Sequence, residues 1–159
     1  MNEIPRLSKI SLPPYCFKKH TSPHPTQHPD GHFRERETYN CPRLAENNWR
    51  DCEGYLFALD LFSQGYFWEC HEVLEDLWHS VDNDSPVHHY LQAFIQCTVT
   101  HWQASSGRIS AARNILRRIP RHVDRAEGLA LGLSISDLHT ATLSFVENPG
   151  PRPLPFHPK

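Results

Sequence analysis

Long apolar runs are absent from this 159-residue sequence. A membrane-spanning helix needs about 20 consecutive apolar residues, so we expect no membrane partner. Residues 1–10 also lack the apolar stretch of a signal peptide, and the five cysteines form no Cys-x-x-Cys pair. These absences argue against a disulfide-stabilised secreted protein and against a zinc knuckle, and they favour a reducing, cytoplasmic setting.

An excess of positive charge is absent too, since the formal net charge is −2. This balance argues against nucleic acid as a partner. The charge is unevenly spread: residues 108–127 carry six arginines and two acids, whereas residues 47–84 carry nine acids and one arginine. These two segments could meet within one chain, could meet across a homodimer, or could be two separate solvated faces.

Proline is scarce only in the middle of the chain. Of 14 prolines, seven lie in residues 1–46 and five in residues 149–159. Residues 47–148 are therefore predicted to be the single domain that buries a core. The Pro/His-rich N-terminal arm, residues 1–46, is either disordered or extended over that domain, because its prolines exclude a helix. Residues 149–159 are predicted to be an extended Pro-rich tail.

Apolar residues in the middle block recur with the helical period, and no segment alternates as a strand does. The pattern predicts an all-α fold, a single bundle of about five helices at residues 49–63, 66–81, 86–105, 108–126 and 134–147. Capping residues mark several boundaries: Ser85 with Pro86 before the third helix, and Ser134 or Ser136 before the last. Short connections predict antiparallel neighbours.

His71 and Glu75 are the strongest candidates for chemistry. They lie four residues apart, so they share one face of the predicted second helix. An imidazole and a carboxylate one turn apart can chelate a divalent ion, and His101 from the third helix could be the third ligand. Two histidines and one carboxylate suit zinc, iron or manganese. A hydrogen bond between His71 and Glu75 inside the core is the alternative.

One stretch carries a family resemblance. Residues 62–78 read FSQGYFWECHEVLEDLW, and this resembles the signature of the domain of unknown function 309 family. Residues 90–96 and 131–133 resemble further blocks of that family, with Ala93 where the family has glycine. The resemblance covers about residues 47–147 and implies a small helical bundle with no established activity.

The resemblance also bears on site residues. It implies that a His-x-x-x-Glu-x-x-Trp element, here His71, Glu75 and Trp78, binds a metal. In the arm, the Pro-His-Pro at His24 and the Gly-His at His32 are similar to elements of some family members, which favours a patterned arm over a disordered one. Candidates for a pocket or for an outer shell around the metal are Glu69, Glu72, Trp78, Gln96, His24 and His32. Glu69 points outward on the helix, which favours a solvated side chain over a role in the site.

Two functions follow from these residues. The first is a metal-binding helical protein, with a metal-dependent hydrolase as the implied activity and a bound water as the nucleophile. The second is a non-catalytic interaction module in which His71 and Glu75 form a buried polar network. No organic cofactor is predicted, and the pattern indicates neither a substrate nor a catalytic residue.

Overall fold

Helices make up most of residues 53–147. The structure, a computed structural model, describes residues 4–35, 39, 42–126 and 128–150. Its elements are a short 3-10 helix (Trp49–Asp51), α1 (Glu53–Ser63), α2 (Phe67–Ser80), α3 (Pro86–Ser105), α4 (Ile109–Leu116), α5 (Ile119–Arg125) and α6 (Ile135–Glu147). Strand pairing in these ranges is limited to one isolated bridge, between Ala130 and Ser134. The predicted all-α bundle is confirmed.

Helix α3 is the centre of the bundle. It packs against α2, α4, α5 and α6, and α1 packs mainly against α2. Its core residues Tyr90, Leu91, Phe94 and Cys97 are completely buried. A helix with neighbours on most of its circumference needs apolar residues over more than one narrow stripe, and this explains the wide apolar surface of α3.

The predicted caps fix two helix starts. The Ser85 hydroxyl oxygen accepts the His88 backbone N–H at 3.1 Å, and Pro86 opens α3. Ser134 accepts the Asp137 N–H at 3.2 Å at the start of α6. Each bond satisfies a backbone donor that the first helical turn leaves without a partner.

The single helix predicted at residues 108–126 is wrong: it is two helices. Helix α4 ends at Leu116, and α5 starts at Ile119 with Pro120 in its first turn. Proline has no N–H to donate to the carbonyl four residues earlier, and its ring clashes with that carbonyl. The chain therefore turns at Arg117 and Arg118 before it resumes a helix.

The described N-terminal arm lies on the bundle without forming helix or strand. Phe17 and Phe33 are each only 6% exposed, and Leu44 is 3% exposed. The arm was predicted to be disordered or extended over the domain; in the structure it lies on the bundle, and residues 18–35 form successive turns rather than an extended chain. The predicted Pro-rich tail lies outside the described residues from 151 onward.

Asp60 of α1 anchors the start of the arm. This carboxylate is 3% exposed and accepts the backbone N–H groups of Leu7 and Ser8 at 2.8 and 2.9 Å. It also accepts the Ser8 hydroxyl at 2.7 Å and pairs with the Arg6 guanidinium at 3.0 Å. A buried carboxylate is stable only when such donors surround it, so the arm and Asp60 depend on each other.

None of the helices described here has both the length and the apolar content needed to cross a membrane.

Candidate metal site on helix α2

His71 is oriented by its own helix. Its Nδ1 contacts the carbonyl oxygen of Trp68, and its ring packs edge-on against the Trp68 ring at 5.2 Å. A carbonyl oxygen can only accept, so Nδ1 carries the proton and the lone pair of the neutral ring lies on Nε2. A ring nitrogen held in this way by a backbone carbonyl is typical of histidines that bind metals.

Glu72 and Glu75 lie beside the free nitrogen of His71. One ligand atom from each of the three side chains lies within 4.8 Å of the other two. His71 Nε2 is 3.3 Å from Glu72 Oε1, and the two side chains are 16% and 25% exposed. Two acceptor atoms at this distance need a proton or a cation between them. The structure thus brings together the predicted pair, His71 and Glu75, and adds Glu72 to it.

His101 does not join this group. It is 1% exposed, its ring stacks on Phe145 at 4.2 Å, and its Nε2 lies 3.2 Å from Thr142 Oγ1. Because the Thr142 hydroxyl donates to the Leu138 carbonyl at 2.7 Å, His101 Nε2 is the donor. Burial lowers the pKa of His101 to about 3, so the ring is neutral. The predicted set of His71, Glu75 and His101 is not assembled, since His101 lies on the face of α3 that meets α6.

Glu69 is buried rather than solvated. Glu69 points outward on α2, as the helical geometry predicts. The N-terminal arm covers that side of α2, so Glu69 is 0% exposed. Glu69 Oε1 accepts the Phe17 N–H at 2.8 Å and lies 3.1 Å from His32 Nε2. Burial raises the pKa of Glu69 to about 7, against the opposing effects of its backbone hydrogen bonds and of His71.

The two candidate histidines of the arm flank the candidate site without joining its ligands. His24 packs edge-on against the Trp68 ring at 5.3 Å. The side chain of His32 is 5% exposed and packs against Tyr15 at 4.1 Å, and burial lowers its pKa. Trp68 therefore has His71 on one side and arm residues on the other, so the arm forms a wall beside the site.

Trp78 lies at the contact between α2 and α3, and Gln96 is a residue of α3. Trp78 follows Glu75 by about one helical turn, and its ring stacks on His88 at 4.7 Å. The Trp78 indole nitrogen and the Gln96 side-chain oxygen are buried and have no hydrogen-bond partner among the described residues. Buried polar atoms without partners are rare in proteins. These two atoms are therefore available to bind ordered water.

A second polar network was not predicted from the sequence. His89 Nε2 lies 2.8 Å from Asp84 Oδ1, and His89 Nδ1 lies 3.0 Å from His122 Nδ1. Arg121 donates to the other nitrogen of His122, so a consistent order of donors runs from Arg121 through both histidines to Asp84. Arg125 also pairs with Asp84 at 3.0 Å, which joins the basic segment to the acidic one within a single chain. The sequence signals for it were the histidine pair His88–His89 after an acidic turn and the charge separation between residues 47–84 and 108–127.

One of three comparisons with known proteins finds a match. No curated protein and no solved structure matches the chain. A family model described as domain of unknown function (DUF309) matches residues 55–115, a range that contains His71, Glu72, Glu75 and the whole of α2 and α3. The resemblance carried by residues 62–78 is thereby confirmed, and residues 55–115 of this chain are similar to the DUF309 family.

Proposed function

We propose that this protein binds a divalent metal ion through His71, Glu72 and Glu75. The observation that carries the proposal is the convergence of three ligand atoms within 4.8 Å on one face of α2. Ligand atoms of a tetrahedral site with bonds of about 2.1 Å lie about 3.4 Å apart. The 3.3 Å between His71 Nε2 and Glu72 Oε1 agrees with this separation.

The donor set indicates the kind of metal. One imidazole and two carboxylates, without a thiolate, suit zinc, manganese or iron. The proposed ligands are partly exposed, so solvent reaches the site. Such an ion supplies Lewis acidity and an activated water, and a metal-dependent hydrolase is the activity we propose. The neighbouring residues of this chain, Trp68, Glu69 and His32, exclude solvent from the arm side of the site.

A non-catalytic interaction module is the second candidate. In that case a proton on His71 Nε2, rather than a metal, accounts for its 3.3 Å contact with Glu72. His71 and the two carboxylates would then be a polar network that stabilises α2. The two candidates differ in one measurable property, which is the affinity for metal.

The experiment uses full-length protein purified without an affinity tag. Its metal content is measured by elemental analysis, and zinc affinity is measured by competition with a chromophoric chelator after metal removal. Glu75→Gln should weaken zinc binding by at least about a hundredfold, because even outer partners of metal ligands change affinity by about 10–100-fold. Asp76→Asn, an exposed acid on the same helix outside the ligand group, is the matched control.

The expected result is metal at one equivalent in wild-type protein and in Asp76→Asn, with loss in Glu75→Gln and in His71→Asn. Wild-type protein that holds no metal and binds zinc no more tightly than Glu75→Gln contradicts the proposal. Equal loss of thermal stability in both variants, without any metal effect, would instead support the interaction module.

We also propose a cytoplasmic, reducing setting. Four cysteines of the described chain, Cys16, Cys52, Cys70 and Cys97, are free thiols. Burial raises the pKa of the Cys16 thiol to about 11 and that of Cys97 to about 12, so neither is a reactive thiolate.

The homodimer remains a prediction, for which a sedimentation measurement is the direct check.

A further inference from the structure

A cleft of about 560 Å³ lies between the N-terminal arm and the junction of α3 with α4. Its volume is within the range of about 300–1,000 Å³ that small-molecule sites occupy. Residues that matter for its chemistry are Phe17, Lys18, Lys19, His20, Trp102 and Arg108. None of the proposed metal ligands lines it, so it is a separate site.

The cleft has positive charge in a protein that is acidic overall. Lys18, Lys19 and Arg108 line it, and no aspartate or glutamate does. Among the described residues, none of these three side chains forms an ion pair with a carboxylate. Several uncompensated cations around one concave surface raise the local concentration of anions.

An aromatic surface lies under this charge. Phe17 and Trp102 stack with ring centres 6.1 Å apart and planes 24° from parallel. The Arg108 guanidinium lies over the Trp102 ring at 5.2 Å. Stacking holds a guanidinium in place while its N–H groups stay available for a planar or tetrahedral oxyanion. Arg108 is thus positioned without a carboxylate that would neutralise it.

The turn that supplies the lysines is held in an unusual conformation. The Lys18 carbonyl oxygen accepts the backbone N–H groups of Thr21 and Ser22, each at 3.2 Å. The Ser22 hydroxyl accepts the Lys18 N–H at 2.9 Å. His20, in the middle of this turn, has a positive φ of 71°. This conformation is uncommon for residues other than glycine, and such residues cluster at ligand-binding sites.

We propose that the cleft binds a small organic phosphate. The phosphate group is held by Lys18, Lys19 and Arg108, and an aromatic or other apolar body packs on Phe17 and Trp102. Three permanent positive charges match the dianion of a phosphate monoester better than the single charge of a carboxylate. The proposal is independent of the metal site, since the two sites share none of these residues.

Calorimetry on the full-length protein tests the proposal with two pairs of probes. Adenosine monophosphate and phenyl phosphate are compared with adenosine and phenol, in the presence of a chelator so that the metal site stays empty. Quenching of tryptophan fluorescence gives a second readout, because Trp102 lines the cleft. We expect binding of at least one phosphate, at least tenfold tighter than its dephosphorylated counterpart.

Variants locate the binding. The double variant Lys18→Gln/Lys19→Gln and the single variant Arg108→Gln should each weaken phosphate binding about tenfold or more. Arg113→Gln, on the exposed side of α4 and outside the cleft, should leave it unchanged. Thermal unfolding checks that every variant is folded. The proposal is overturned when neither phosphate binds at millimolar concentration, or when binding in the cleft variants equals that of Arg113→Gln.

Discussion

Asp60→Asn should detach the beginning of the N-terminal arm from α1 while the bundle stays folded. Asp60 Oδ1 accepts the Leu7 N–H, and Oδ2 accepts the Ser8 N–H, the Ser8 hydroxyl and the Arg6 guanidinium. An asparagine has the same shape but only one acceptor oxygen. Whichever way its amide is turned, its NH₂ group meets at least one backbone N–H.

The magnitude follows from the bonds that are lost. The amide should keep its oxygen at the former Oδ2 position, so the bond from the Leu7 N–H disappears and the three bonds from Ser8 and Arg6 lose their charged acceptor. Hydrogen bonds to a charged group contribute about 1.5–3 kcal/mol each, and the contact with Arg6, whose side chain is 32% exposed, counts for less because solvent screens it. The detached segment recovers conformational entropy. We therefore expect a net cost of about 3 kcal/mol for arm docking, which corresponds to about a hundredfold change in its equilibrium.

Native-state hydrogen exchange measures this equilibrium residue by residue. Protection of the Leu7 or Ser8 amide should fall about a hundredfold in Asp60→Asn, whereas amides inside α3, such as that of Leu91, should change far less. Local opening and global unfolding are separated by this comparison. Urea unfolding of the same variant gives the effect on the whole bundle.

Glu53→Gln is the matched control. Glu53 also accepts a backbone N–H of the arm, that of Lys9 at 3.1 Å, but this contact is exposed. The control should change arm protection by less than about fivefold, as is typical of a screened surface contact. Equal protection of Leu7 and Ser8 in wild type and Asp60→Asn would refute the reasoning, and so would an effect of Glu53→Gln as large as that of Asp60→Asn.

Three further predictions concern stability. Gly31→Ala should displace the arm loop, because a Cβ there would lie 2.3 Å from the Pro25 carbonyl oxygen. We expect the stability of the docked arm to fall by about 2 kcal/mol, measured as faster exchange of the Phe33 amide. Unchanged exchange would contradict this prediction. Gly132→Ala should lower the free energy of unfolding in urea by about 2–3 kcal/mol, since Gly132 has a φ of +74° and its Cβ would lie 2.5 Å from the Trp49 ring. The pKa of His101 falls from 6.5 to about 3 on folding, so the unfolded chain takes up a proton that the native one does not. Stability should therefore fall by about 1.4 kcal/mol for each pH unit below about 6.5 through this residue, and His101→Gln should have a shallower pH dependence; equal slopes in urea titrations between pH 7 and 4.5 would argue against it.

Most of the helical bundle could be predicted from local signals. The third predicted helix has the bounds of α3, the second is one residue longer than α2 at each end, and the last begins one residue before α6. Helices α3 and α6 combine a clear apolar period with a serine cap, whereas α2 has the apolar period between Gly65 and a polar turn. The prediction of the fourth helix was wrong at Pro120. The apolar period continues across this proline, but proline cannot continue the hydrogen bonds of a helix.

Part of the candidate site could likewise be predicted from local spacing, whereas the rest depends on contacts between distant parts of the chain. His71, Glu72 and Glu75 belong to one helix, so the spacing of His71 and Glu75 was enough to place them together. His101 required knowledge of which neighbour its face of α3 meets. The His101 ring contacts the rings of Phe62 and Phe67 as well as that of Phe145, so its surroundings are apolar on more than one side. A periodic pattern identifies a buried face but does not identify the helix against which that face packs.

Glu69 shows why the arm was the hardest part to predict. On its own helix it points away from the core, and a carboxylate there needs no partner while it is in water. Its burial depends on the arm, because the arm provides both the Phe17 N–H and the His32 ring that contact Oε1. Since burying a carboxylate without partners costs several kcal/mol, the docking of the arm and the burial of Glu69 are energetically one event. The burial of Glu69 could not be predicted from residues 62–78 alone, because the residues that contact its carboxylate lie more than 30 residues earlier in the sequence.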